Sequence, residues 1–94
     1  MKLLTVVPRH SFTYDGVRMN VFHANKSEGL PKHSHKFSHA TMVNSGSIIV
    51  RKENKELLMT KDTQPVNLLA NEWHEIEALE DGTVFVNIYA EGKN

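Results

Sequence analysis

The chain has no cysteine, only 3 prolines and 5 glycines in 94 residues, and no apolar run near membrane-spanning length. Without cysteine there can be no disulfide scaffold, thiolate zinc site, iron–sulfur cluster or cysteine nucleophile. The apolar stretch from Leu3 to Val7 is too short for a signal-peptide core and stops at Pro8-Arg9, so the cytoplasm is the expected compartment. An excess of charge is also missing. Lys+Arg and Asp+Glu are both 11, and Lys52, Lys55 and Lys61 alternate with Glu53, Glu56 and Asp62. A balanced, interleaved surface has no electrostatic pull toward nucleic acid or anionic lipid, so neither nucleic acid nor a membrane is expected as a partner. GxSxG, P-loop and GxGxxG motifs are absent, and Asp15 and Asp62 sit in turns without a partner carboxylate.

A helical apolar period is missing too; no segment sustains one over ten residues. Apolar residues at 39% and charged residues at 23% are ordinary for a globular chain, and residues 1–94 read as one domain. Turn signals are dense: Pro8, Asp15-Gly16, Gly29 to Pro31, Asn44 to Gly46, Asn54-Lys55, Asn71-Glu72 and Asp81-Gly82. Between them lie short β-rich segments: Leu3 to Val7, Val17 to Ala24, Lys36 to Val43, Ser47 to Lys52, Glu56 to Thr60, Gln64 to Ala70, Trp73 to Leu79 and Gly82 to Tyr89. The fourth and fifth read as a hairpin, and so do the last two. Strands of this length and spacing predict an all-β fold, a small antiparallel β-barrel or sandwich whose closure protects its edges.

Histidine is what the chain has in excess. Of 6 histidines, His33, His35 and His39 fall within seven residues. They share one parity, so on an extended strand all three face the same side. His33 and His35 would stand about 6–7 Å apart along such a strand, close enough to converge on one cation at about 2.0–2.1 Å from each nitrogen. His39 joins them where the strand bends. A helix would pair His35 with His39 and turn His33 away. The bland reading is a polar loop with exposed histidines, but imidazoles buried together become costly once protonated unless a cation holds them neutral. His74 opens a segment in which His74, Ile76 and Ala78 form an inward set opposite Trp73, Glu75 and Glu77. His10 reads as surface, and His23, sharing a face with Val17, Met19 and Val21, as core or rim.

These residues resemble the cupin superfamily over about residues 17–90. His33-Ser34-His35, His39 and Gly46 follow the spacing of the first cupin motif, and Ala70 to His74 stands where the second belongs. The resemblance implies a double-stranded β-helix in which His33, His35 and His74 are metal ligands and His39 replaces the usual glutamate. Gly29 stands closer to the histidine pair than in the family, the second motif's proline and glycine are replaced by Ala70 to Glu72, and its asparagine by Ala78. Those departures bear on the reaction more than on the fold. Small cupins often pair through strands, so a homodimer is expected, with Leu3 to Val7 as an added strand and Val84 to Ile88 covered on both faces.

Imidazole suits zinc, copper, iron and nickel without choosing sharply among them, so the expected cofactor is a divalent transition metal, one of iron, nickel, zinc, manganese or copper. Four neutral ligands leave the ion its full charge and favour an anionic oxygen ligand. The expected function is a metal-binding small cupin that acts on, or binds, a small oxyanionic molecule, by dioxygenase-, lyase- or isomerase-like chemistry. The alternative is a non-catalytic metal or small-ligand binding domain. Tyr14, Tyr89, Glu72 and Glu75 are the available titratable groups, with Glu75 facing away from His74, and none is singled out as a general base.

Overall fold

The computed structural model describes residues 3–90. Ten strands follow in chain order: β1 (Leu4–Thr5), β2 (His10–Tyr14), β3 (Val17–Ala24), β4 (Glu28–His33), β5 (His39–Ser45), β6 (Ser47–Lys52), β7 (Lys55–Thr60), β8 (Val66–Leu68), β9 (His74–Ala78) and β10 (Thr83–Ala90). The described residues contain no helix, so none is long and apolar enough to cross a membrane. The strands form two five-stranded sheets, ordered β1-β4-β9-β6-β7 and β2-β3-β10-β5-β8. All pairings are antiparallel except that of β1 with β4, which is parallel. The expected all-β antiparallel barrel is what forms.

Alternation accounts for the core. Phe22, Ala24, Val43, Leu68 and Phe85 from the second sheet meet Ile48, Val50, Met59, Ile76 and Ala78 from the first. Phe22 and Phe85, opposite one another on β3 and β10, stack with centroids 4.8 Å apart. Two hairpins carry the expected turn chemistry. Asp15-Gly16 joins β2 to β3 with positive φ at both residues, which suits strand twist and which Gly16 adopts without steric cost. Glu53-Asn54 joins β6 to β7, with Asn54 at φ 60°.

Other expectations need correction. Trp73 to Leu79 and Gly82 to Tyr89 are not a hairpin: β9 pairs with β4 and β6, whereas β10 pairs with β3 and β5. Residues 79–82 cross between sheets, held where Thr83 Oγ1 donates to the Glu80 carbonyl and Lys26 N–H donates to Asp81. Gly29 to Pro31 is not a turn but the middle of β4. There a Cβ on Gly29 would collide with the Ile76 carbonyl, so glycine serves close strand approach. His10–Tyr14, which is not among the expected strands, is a hairpin edge strand. Of the Leu3 to Val7 run only Leu4–Thr5 is strand; it joins β4 in its own sheet, where Val6 N–H also donates to the Gly29 carbonyl at 2.9 Å, and Val6 packs on the core. Only Val66–Leu68 of the Gln64 to Ala70 segment is strand.

Candidate metal centre

Backbone register brings the histidines together at one end of the barrel. Leu30 pairs with Ile76 and His33 with His74, so three steps on β4 match two on β9. The extra residue is a β-bulge, and it turns His33 to the inward parity of Leu30. Pro31 tolerates the bulge because the missing N–H is not needed there. His74, opposite, begins β9 and is fully buried. His39 begins β5 in the facing sheet and is 4% exposed. His35 lies in the connector between β4 and β5, whose backbone is tied down: Asn71 N–H donates to the His35 carbonyl at 2.7 Å and Ala70 N–H to Ser38 Oγ at 3.0 Å.

The single strand face expected for His33, His35 and His39 is therefore wrong. The three come from the end of one strand, a connector and the start of a strand in the other sheet. The strand expected at Lys36 begins only at His39 and ends at Ser45. Gathering the side chains from both sheets does what one bent strand was expected to do. His23 departs from the core-or-rim reading: it is exposed on the outside of β3, near His10 at 6.2 Å between centroids. His10 is exposed as expected.

The ring centroids of His33 and His74 lie 4.4 Å apart, of His35 and His74 5.0 Å, and of His33 and His35 5.3 Å. Ligand atoms of these three all fall within 4.8 Å of one another. Two nitrogens on one ion are at most about 4.2 Å apart, so this spacing is near that of a coordinating set. His39 is placed beside it, with centroids 5.0 Å from His35 and 5.3 Å from His74.

Hydrogen bonds decide which nitrogen each ring offers. His33 Nδ1 donates to the Pro31 carbonyl at 2.6 Å and His35 Nδ1 to the Phe37 carbonyl at 2.9 Å. Carbonyls only accept, so each ring keeps its lone pair on Nε2. The same logic reaches His39 through two further residues. The Thr41 hydroxyl gives its hydrogen to Asn87 Oδ1 at 2.6 Å, so at 3.2 Å it accepts from His39 Nδ1. That leaves His39 Nε2 as an acceptor, buried and without a protein partner. Both ring nitrogens of His74 are buried and neither makes a hydrogen bond of good geometry, although the Glu72 backbone lies near enough to favour the protonated ring. Orphaned buried acceptors at the meeting point of four imidazoles fit a cation.

Electrostatics agree. Burial, then the charge of His35, pushes His39 down to about 4, with the Ala40 backbone opposing and His33 adding to the fall. Burial, then His33, His39 and His35, pushes His74 down to about 4, partly offset by the Glu72 backbone. Both rings are neutral at pH 7, the form that binds metal.

Phe37 lies over the cluster, its ring 4.3 Å from His35 at 11° and 4.8 Å from Tyr89. Of the titratable candidates, Tyr89 is the one that faces this group, where its hydroxyl accepts from Asn20 Nδ2 at 3.2 Å. Tyr14 is 77% exposed, Glu75 is bound to Arg51 outside the barrel, and Glu72 pairs with Lys52 at 3.5 Å. Thr41 and Asn87 were missed in the sequence. Thr41 shares the parity of His39 two residues on, which is a usable signal. Asn87 becomes visible only through the register of β10 on β5. A cavity of about 220 Å³ lined by Lys52, Glu53, Asn71, Glu72 and Trp73 opens beside His74, to which Lys52 is the cross-strand neighbour.

This architecture is that of a small cupin domain. The chain superposes on a cupin superfamily protein from Desulfitobacterium hafniense with a TM-score of 0.76, at 11% identity over 96% of this chain and 81% of that one. KdgF from Halomonas sp. matches with a TM-score of 0.77, at 12% identity over 86% and 74%. A chain from the crystal structures of the DMSP lyases RdDddP and RnDddQII matches with a TM-score of 0.72, at 18% identity over 85% of this chain and 41% of that one. Identities this low establish the fold alone. No protein-family profile matches the chain, and no curated protein sequence matches it significantly.

Proposed function

We propose that this chain is a metal-dependent small cupin that binds a small oxyanionic organic molecule, with dioxygenase-, lyase- or isomerase-like chemistry at a centre of His33, His35 and His74 and with His39 as fourth ligand. The observation that carries the reading is the pair of buried histidines, His39 and His74, whose Nε2 atoms have no protein partner and converge with two more imidazoles. A divalent transition metal (iron, nickel, zinc, manganese or copper) would supply Lewis acidity for the substrate oxygen there. The chain's own part is to hold three Nε2 lone pairs in place through the Pro31 and Phe37 carbonyls and the Thr41 hydroxyl, and to shield the cluster with Phe37. A small-molecule partner in the cytoplasm, with the protein as a homodimer, completes the proposal.

A second reading, a non-catalytic metal or ligand carrier, is favoured by one fact: the cluster contains no carboxylate to act as a base. Metal analysis of purified protein, followed by alanine variants of the four histidines, tests the centre. Loss of the metal is expected for His33, His35 and His74, and weaker binding for His39. Wild-type affinity in His74→Ala would overturn the site. Oxygen uptake or product formation by the loaded protein separates enzyme from carrier.

A further inference from the structure

The inner face of the second sheet turns polar toward the histidine end. Asn20 shares the inward parity of Phe22 and Ala24 on β3, and Tyr89 that of Phe85 and Asn87 on β10. Register sets Ser11 opposite Asn20, and Arg18 opposite Tyr89. These four side chains form one chain of hydrogen bonds. Arg18 Nη2 donates to Ser11 Oγ at 2.7 Å, Ser11 Oγ to Asn20 Oδ1 at 2.6 Å, and Asn20 Nδ2 to the Tyr89 hydroxyl at 3.2 Å. The lengths fix its direction. A separation of 2.6 Å suits O–H···O and is short for N–H···O, whereas 3.2 Å suits N–H···O and is long for O–H···O. A reversed Asn20 amide would therefore misfit at both ends. The guanidinium at the head can only donate. So the Tyr89 oxygen accepts, and its own hydrogen is left to give. Among the described residues no acceptor takes it.

The ring that carries this hydroxyl borders the histidine cluster. It lies 4.8 Å from Phe37, which itself stacks 4.3 Å over His35. The register that pairs Ile88 with Ala40 brings Tyr89, one step on, to the level of His39. Neighbouring donors are already committed: His33 and His35 Nδ1–H to carbonyls, and the Thr41 hydroxyl to Asn87. We propose that Tyr89 donates a hydrogen bond to a carboxylate bound at the histidine cluster, and that Arg18, Ser11 and Asn20 position it to do so. The inference rests on the metal-centre reading above and adds a second point of recognition to it. A carboxylate that gives one lone pair to a cation keeps others, and leaving them unmatched beside Phe37 is costly. Each link of a donor chain polarises the next, so a chain that begins on a cation strengthens its last donor toward an anion. The same direction selects against a ligand that brings only donors. An ammonium group there would meet the Tyr89 hydrogen head-on.

Cobalt-loaded protein titrated with acetate, followed through the visible absorption of the ion, reads oxyanion binding without any turnover. Tyr89→Phe keeps the ring against Phe37 and removes only the hydroxyl. It should raise the acetate dissociation constant about tenfold or more, the usual scale for a hydrogen bond to a charged group, and leave cobalt affinity at the wild-type level. Asn20→Leu frees the hydroxyl to turn away, so it should weaken acetate binding in the wild type and have no further effect in Tyr89→Phe. A merely structural Asn20 would cost the same in both backgrounds, and that result would overturn the positioning chain. Wild-type acetate affinity in a cobalt-loaded Tyr89→Phe, or a wild type that holds cobalt but takes no acetate, would overturn the inference and leave the metal centre standing. A wild type that binds no cobalt would overturn the centre and this inference with it.

Discussion

The two sheets have the same number of strands and both send apolar side chains into the shared core, yet their outer faces differ. On β6, β7 and β9 the outward positions carry Arg51, Glu56, Glu75 and Glu77. On β3, β5 and β10 they carry mostly valine, methionine, isoleucine and alanine, with His23 at one end. An antiparallel sheet can face water on one side, and its strands then alternate apolar and polar. The first sheet does this. The second also alternates, but between a mixed inner face, with Phe22 and Phe85 deep and Asn20, Thr41 and Asn87 higher up, and an apolar outer one. The difference teaches that the core side of a strand cannot be assigned from hydrophobicity alone. Polar residues went inward beside the histidine cluster, and apolar ones outward on the other side of the same strands.

The comparison is sharpest at the cores, where the sheets should respond alike. Phe85→Ala removes the ring stacked on Phe22 and should cost about 3–5 kcal/mol, and Ile76→Ala about 2–5 kcal/mol, by loss of burial plus the cavity left behind. Urea denaturation checks both. A cost for Phe85→Ala well under that for Ile76→Ala would show that the second sheet's inner face is not a true core face.

Acid should weaken the join between the sheets at the histidine end. His39 in one sheet and His74 in the other are each lowered to about 4 by burial first. Between the unfolded value of about 6.5 and the folded values the unfolded chain binds more protons, so stability rises with pH in that window. The metal-free protein should therefore lose stability as pH falls from about 6.5 to about 4, by a few kcal/mol for the pair, and level off below. A bound cation needs neutral imidazole, so loading should steepen the fall. Thermal melts across that range, with His39→Gln and His74→Gln as references, measure it. A flat profile in the metal-free protein would mean that the rings are not buried neutral.

Much of this was legible in the residues. Val17–Ala24 and Ser47–Lys52 are strands with the bounds that alternation and turn signals predict, and the Glu53-Asn54 turn closes its hairpin. The cupin-like spacing pointed to His33, His35 and His74, which do come together. Local pattern could not show what depends on which strands become neighbours. The bulge that turns His33 inward is a mismatch between two strands far apart in sequence, visible only in register. The crossing at residues 79–82 looks like a hairpin turn because both flanking segments are good strands, and only the sheet order separates them. Asn87 is the one polar residue of Val84 to Ile88, and only the register that sets Thr41 opposite it supplies its partner.

Thr41→Val tests how the second sheet orients its histidine. The hydroxyl accepts from His39 Nδ1 while donating to Asn87, and valine keeps the shape but offers neither. His39 is then free to turn or change tautomer, and Asn87 loses its donor. Metal affinity should fall by about 10–100-fold, the usual effect of removing such an orienting partner. The melting temperature of the metal-free protein should change much less than it does in Phe85→Ala. Competition with a chromophoric chelator reads the affinity. Unchanged affinity would place His39 outside the coordinating set and leave the centre to His33, His35 and His74.

The smallest effect belongs on the charged face. Arg51 reaches Glu75 and Glu77 at 2.8 Å each and Glu56 at 3.3 Å, and its side chain is 31% exposed. Those carboxylates hold its guanidinium above the usual arginine value, the hydrogen bond to Glu77 first. Three contacts suggest a large contribution, but solvent reaches all the partners, and exposed pairs are typically worth about 0.2–1 kcal/mol each. They also share one cation, so they do not add. Arg51→Met keeps the stem that lies on the sheet and removes the charge. It leaves Glu75 and Glu77, on one strand and one face, to repel each other. We expect a loss of about 1 kcal/mol at low salt, shrinking toward zero in molar salt, where the screening length is about 3 Å. Melts at two ionic strengths measure it. A salt-independent loss of several kcal/mol would mean that this face is more deeply buried in solution than the single chain shows, and would erase the contrast with the apolar face behind His39.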